Sequence, residues 1–354
     1  MNPRIAFCGL FLLSALRSAV AQAAPDTVWT APTPSLGVNS VQAVAWSPTG
    51  ESFAVGSTDR WFRLRLASDG GLLYSVLEPP KTHGVGAILY SHDAQLIGVR
   101  NQSSGLSFRV QRMIDGLFLG KVEGTVGTDG LVTFAPDATL LATTGGDGTI
   151  SAWDFSELTV FQVTGTGYPT ISTAFNFSPD GSFQTAASQG TITVRRTSDA
   201  AIVAVLQGGS TVKFSPDSSV LAAWGATPTN EIVLWRTSDW SVLEHLPSPN
   251  AAEGVAGLRF TPDGQRLVAT GYSPFLGPMG WQQKGFIRFW DVATGTALLT
   301  YSRQTDIAVT SPVAWSPDGS EFGYGLYDGT VAVAHTPASG AVATSVLAKP
   351  KSKK

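Results

Sequence analysis

Thiols are almost absent from this chain: Cys8 is the only cysteine among 354 residues. That excludes a disulfide framework and a thiolate zinc site, both of which need paired or clustered cysteines. The four histidines, His83, His92, His245 and His335, stand at unrelated positions, with no His-x-x-x-His spacing and no Asp-rich calcium loop. No metal and no other cofactor is expected, and each histidine reads as a turn or surface residue. Charge is scarce too. Charged residues make up 14% of the chain, well below the roughly 25% of an average globular protein, and the net charge is -3. No basic stripe runs along the sequence, so nucleic-acid binding, which rests on Lys and Arg meeting phosphates, is disfavoured. The one basic cluster, residues 349–354, reads as a disordered tail.

Long apolar runs are also missing. The longest near the start, Ile5 to Leu16, is too short to span a bilayer comfortably. It follows the positive Arg4 and precedes Ala21-Gln22-Ala23, so residues 1–23 read as a cleavable secretory signal peptide. The expected product is periplasmic or extracellular, has no membrane span after cleavage and retains no thiol. It would depend on its core alone, and 43% hydrophobic residues supply one.

What the chain does have is repetition. Seven times an aromatic residue stands before a short turn: Trp46 before Ser47-Pro48, Tyr90 before Ser91-His92-Asp93, Phe134 before Ala135-Pro136-Asp137, Phe177 before Ser178-Pro179-Asp180-Gly181, Phe214 before Ser215-Pro216-Asp217, Phe260 before Thr261-Pro262-Asp263-Gly264, and Trp315 before Ser316-Pro317-Asp318-Gly319. Each residue type has a mechanical role there. Ser accepts a bond at the first corner, Pro presets φ at the second, Asp tolerates the third, and Gly takes the positive φ that follows. These serines are hairpin chemistry and not nucleophiles, because no His or carboxylate recurs with them in a catalytic pattern. Likewise Gly145-Gly146-Asp147-Gly148 is a hairpin turn, since it lacks the Gly-Lys-Ser/Thr ending of a phosphate loop and leads into a strand.

The Pro positions of the seven turns, with His92 standing in for the second, run from Pro48 to Pro317 and are separated by 44, 44, 43, 37, 46 and 55 residues. Such a period holds four strands of about five residues with their turns. In the third repeat the strands are expected at 131–134, 140–143, 149–153 and 159–163. One four-stranded sheet cannot bury both of its faces, so the repeats must stack on one another.

The segments Gly146-Asp147-Gly148-Thr149-Ile150-Ser151-Ala152-Trp153-Asp154 and Gly285-Phe286-Ile287-Arg288-Phe289-Trp290-Asp291, with degenerate copies at 190–195, 231–236 and 328–334, resemble the WD-repeat β-propeller family. The resemblance implies an all-β, seven-bladed propeller of four-stranded antiparallel blades over residues 24–348, in an exported bacterial member with degenerate repeats. It implies structural roles for Asp147, Trp153, Asp154, Trp290 and Asp291. The family's Gly-His dipeptide is missing from every repeat, so its buried Asp-His-Ser/Thr-Trp network cannot be complete here, although Asp59, Asp147 and Asp328 occupy the expected turn. The ring would be closed by a strand near 27–30 or by one at 341–348; the first is favoured because it joins the two chain ends.

Two places invite binding. The longest interval owes its excess to 272–284, expected as a long loop on the partner-binding face and carrying Tyr272, Phe275, Met279 and Trp281, residue types that dominate interfaces. Self-packing of these aromatics is the competing reading. The second place is the position just before the repeated aromatic, where Asn176, Lys213 and Arg259 fall in three consecutive repeats. They would form a polar, cationic arc suited to an anionic group, or pair with carbonyls and acids of neighbouring blades. The leading functional expectation is an exported, monomeric, non-catalytic scaffold for a protein partner. The alternatives are a lactonase-like or quinoprotein-like propeller enzyme and a propeller that binds cell-wall glycan.

Overall fold

A computed structural model describes residues 25–33, 40–78, 84–91, 93–101, 107–123, 132–134, 140–144, 150–154, 159–163, 174–188, 190–199, 201–209, 211–226, 231–248, 252–277, 280–302, 313–326 and 328–338. The expected signal peptide, the basic tail, Asp147, Met279, His83, His92 and the alternative closing strand at 341–348 lie outside these residues. The described residues form seven four-stranded antiparallel sheets. Sheets one to six each use four consecutive strands, spanning 41–77, 85–123, 132–163, 174–207, 211–246 and 254–302. The seventh, 314–335, takes its fourth strand from Thr27–Pro32 at the other end of the chain. The third repeat has strands at Val132–Phe134, Leu140–Thr144, Ile150–Asp154 and Thr159–Val163, within a residue of the sequence expectation.

Burial explains why these short segments are strands. Ser52–Ser57, second in its sheet, is buried at every position, whereas the outer strand Leu72–Leu77 is mostly exposed. Such a gradient arises when sheets are covered on both faces near an inner edge and splay apart outward. The side-chain clusters trace that stacking. Val212, Phe214 and Ile192 join sheets four and five; Leu234, Phe260 and Phe286 join five and six; Phe289 and Phe322 join six and seven; Phe53 and Val331 join seven and one; Phe62 and Ile97 join one and two. Innermost strands of successive sheets lie side by side, as Val41–Trp46 does with Val85–Tyr90 and Thr211–Phe214 with Gly254–Phe260. The architecture is propeller-like.

The Ser-Pro-Asp turns build one end of this stack. In each of five described turns the Ser or Thr hydroxyl donates to the Asp two residues on and accepts the backbone N–H five residues on, the Ser91 turn at 2.6 and 2.9 Å among them. Ser178 does so at 2.6 and 2.8 Å, Ser215 at 2.5 and 2.9 Å, Thr261 at 2.5 and 3.0 Å, and Ser316 at 2.6 and 3.0 Å. Gly181, Gly264 and Gly319 then take φ near +70°. Where glycine is missing, Ala94 and Ser218 are forced to φ 56° and 63°. Neighbouring turns touch: the Asp180 N–H donates to Ser218 Oγ at 3.0 Å, and Gly264 and Gly319 face Pro216 and Pro262 of the preceding sheets.

The N-terminal strand is fixed on two sides. It pairs with Thr330–His335, while Trp29 Nε1 donates to the Ala67 carbonyl at 2.7 Å and Arg65 donates to the Pro32 carbonyl at 3.1 Å. A strand bonded to sheet seven and anchored on sheet one ties the ends of the chain together without a covalent link.

Candidate functional site

Residues 272–277 and 280–284 are strand and not loop, contrary to the sequence expectation. They continue the second and third strands of sheet six, so that Arg266–Gly277 and Gly280–Asp291 pair without a break from Arg266↔Asp291 to Gly277↔Gly280. The innermost strand stops at Gly254↔Tyr272, and the outermost begins at Phe286↔Ser302. Beyond those pairs the hairpin is, among the described residues, a ribbon of two strands. At roughly 3.3 Å per residue, its arms from Ser273 to Gly277 and Gly280 to Lys284 add some 16 Å to the sheet. In the register Phe275 pairs with Gln282 and Leu276 with Trp281. Tyr272, at the base, lays its ring across Gly254: a Cβ on that glycine would sit 2.2 Å from Tyr272 Cζ. The ring is nevertheless 42% exposed. The ribbon leaves the end where inner strands begin, opposite the Ser-Pro-Asp turns.

Asn176, Lys213 and Arg259 lie at that other end, one residue before the aromatic that enters each turn. Their register is equivalent, Asn176↔Thr185, Lys213↔Ala222 and Arg259↔Val268. Asn176 Nδ2 donates to the Val212 carbonyl at 2.7 Å, bridging one inner strand to the next. Lys213 and Arg259 have no hydrogen-bond or ion-pair partner among the described residues. Burial first, and the Arg259 charge second, push the Lys213 pKa down to about 8. Arg259 is exposed, and partial desolvation by the surrounding protein lowers its pKa as well.

Sequence reasoning missed a different set of cations. Arg63, Arg109 and Arg288 occupy one register position in the third strands of sheets one, two and six, opposite Val55, Val99 and Ala269. Each has an acid. Arg63 meets Asp59 at 2.6 Å, Arg109 meets Glu78 at 3.2 Å, and Arg288 grips Glu253 with two bonds of 2.9 and 3.1 Å. Arg288 also donates to Thr300 and lies over the Phe286 and Trp290 rings at 4.9 and 5.7 Å. Asp59 thus holds the expected turn position but bonds to arginine where the family resemblance implies histidine. The available signal was the shared alignment of Arg63, Arg109 and Arg288 three residues before the end of each third strand.

The remaining named residues are placed plainly. Trp290 is 2% exposed in the core between sheets five and six, and Asp291 accepts from the Thr294 N–H and hydroxyl in the following turn. Trp153 and Asp154 pair with Leu141 and Leu140. His245 contacts Glu231 at 2.8 Å and His335 lies 3.9 Å from Glu321. Among the described residues no three His, Cys, Asp or Glu side chains gather as a metal site, and no helix is long and apolar enough to cross a membrane.

Two stretches match a known family. The sequence profile described as WD domain, G-beta repeat matches residues 31–64 and 129–154. These segments run from the N-terminal strand through the Arg63 strand of sheet one, and across the first three strands of sheet three. No curated protein matches the chain. A WD40-like all-β domain of stacked four-stranded sheets is a plausible protein-interaction scaffold.

Proposed function

We propose that this chain is an exported, non-catalytic propeller of seven blades, closed by its N-terminal strand, that binds a protein partner on the face bearing the sheet-six ribbon. The ribbon carries the reading. A two-stranded hairpin is marginal in water unless something packs against it, and this one extends past both flanking strands of its own sheet. Its base presents a partly exposed Tyr272, and its sequence includes Phe275 and Trp281 among few charges. Aromatic, charge-poor elements form the energetic centres of interfaces. A stiff stack of sheets loses little entropy when it docks through such an element. The turn serines are occupied in local hydrogen bonds, which favours a scaffold over a serine-based enzyme.

The test is affinity capture with the full-length protein and with a variant in which residues 274–283 are replaced by a two-residue Asn-Gly turn. Loss of specific partners with an unchanged Tm supports the ribbon's role. An identical partner set rejects it. Cell fractionation of the tagged protein checks export in the same material.

A further inference from the structure

We propose that Lys213 and Arg259 form a binding site for a small oxyanion, such as inorganic phosphate or a carboxylate, at the turn end of the inner strands. The two residues occupy the same register position on neighbouring inner strands, Thr211–Phe214 and Gly254–Phe260. Their charges are close enough for Arg259 to depress the Lys213 pKa. Two like charges held together and partly out of water are unfavourable unless a counter-charge joins them.

The rest of the molecule shows that this chain ordinarily supplies counter-charges. Arg63, Arg109 and Arg288 each face Asp or Glu, and Arg65 is bonded to the Gly70 and Pro32 carbonyls. Among the described residues neither Lys213 nor Arg259 has such a partner. The residues at the matching position of the other described sheets are Ala45, Leu89, Asn176 and Ala314, and Thr133 holds it in sheet three. None is acidic, and the Asn176 amide is already used on Val212. The nearby turn carboxylates, Asp180, Asp217, Asp263 and Asp318, are each bound by their own Ser or Thr and by a backbone N–H. Among the described residues no acidic side chain bonds to either cation, so an anion from solution is the counter-charge that fits.

The donor set suits an oxyanion. Arg supplies a planar fork for two oxygens, and Lys adds a compact charge beside it. The site lies at the end opposite the ribbon, so its fate is independent of whether the ribbon binds a partner.

The experiment is calorimetric titration and thermal unfolding of the full chain with inorganic phosphate and, separately, acetate, against sodium chloride at matched ionic strength. Lys213→Met, Arg259→Met and Lys213→Arg are compared with Arg196→Gln, which alters an exposed cation paired with Asp199. Phosphate or acetate should raise the wild-type Tm above the chloride control. Each Met variant should weaken Kd by about tenfold or more, as loss of a charge-assisted bond does. Lys213→Arg and Arg196→Gln should bind within about threefold of wild type. The proposal is overturned if neither anion exceeds chloride, or if the Met variants titrate like wild type. Should Arg259→Met fail to fold, the comparison of Lys213→Met with Lys213→Arg decides alone.

Discussion

Lys213 should make the free protein less stable than it need be. Its pKa falls from 10.5 to about 8, chiefly because burial disfavours the charged amine and secondarily because Arg259 repels it. At roughly 1.4 kcal/mol per pKa unit, holding that charge at neutral pH costs about 3 kcal/mol. The sign follows from proton binding. Between about pH 8 and 10.5 the unfolded chain keeps a proton on Lys213 that the folded chain has released, so stability rises with pH across that window and is flat below it. Lys213→Met keeps most of the aliphatic stem and removes the charge. In phosphate-free buffer, urea unfolding at pH 7 should show the variant more stable than wild type by up to about 3 kcal/mol, with the advantage nearly gone at pH 10.5. Because desolvation is the larger cause, most of that gain should survive in an Arg259→Met background. A variant less stable than wild type at pH 7, or a pH-independent difference between them, would refute the reasoning.

Four further outcomes follow from the geometry. Arg288→Met leaves Glu253 buried without its bidentate partner and should cost about 3–5 kcal/mol in urea unfolding, most of it recovered when Glu253→Leu is added. Ala94→Gly relieves a left-handed alanine in the second turn and should stabilise by about 1 kcal/mol, read as a higher urea midpoint with an unchanged slope. Asp180, whose pKa is lowered to about 2 mainly by the Ser178 hydroxyl, contributes stability that is present above the ordinary carboxylate pKa and lost as pH falls through about 2; Asp180→Asn should flatten that part of an acid-unfolding curve. Gly254→Ala drives a methyl into the Tyr272 ring and should displace it, lowering Tm and changing tyrosine fluorescence at the ribbon base.

The turns were legible in the sequence because their chemistry is local. Ser178, Asp180, Gly181 and Phe183 satisfy one another within five residues, so residue order alone dictates the shape. Strand positions followed, since turns at a fixed period leave few places for the four strands between them. The ribbon was misread because Pro274, Gly277, Pro278 and Gly280 are loop residues by composition. Composition misleads there for a physical reason: the inner strand ends at Gly254, so the side of Pro274 facing away from its hairpin partner has no third strand to serve, and proline is tolerated at such an edge. The arginine pairs were illegible because two of them join residues 31 and 35 positions apart, Glu78 with Arg109 and Glu253 with Arg288, across the junction between sheets.

The same contrast accounts for where unsatisfied charge is left. Acids that arrive from a connecting segment, as Glu78 and Glu253 do, can turn inward to meet a third-strand arginine at the end where inner strands begin. At the opposite end the connecting segments are the Ser-Pro-Asp turns, whose carboxylates are consumed in shaping the turn itself. Among the described residues, a cation on an inner strand beside those turns meets no acid. Lys213 and Arg259 are the two places where the chain puts one, and the stability released by Lys213→Met measures the cost of keeping it there.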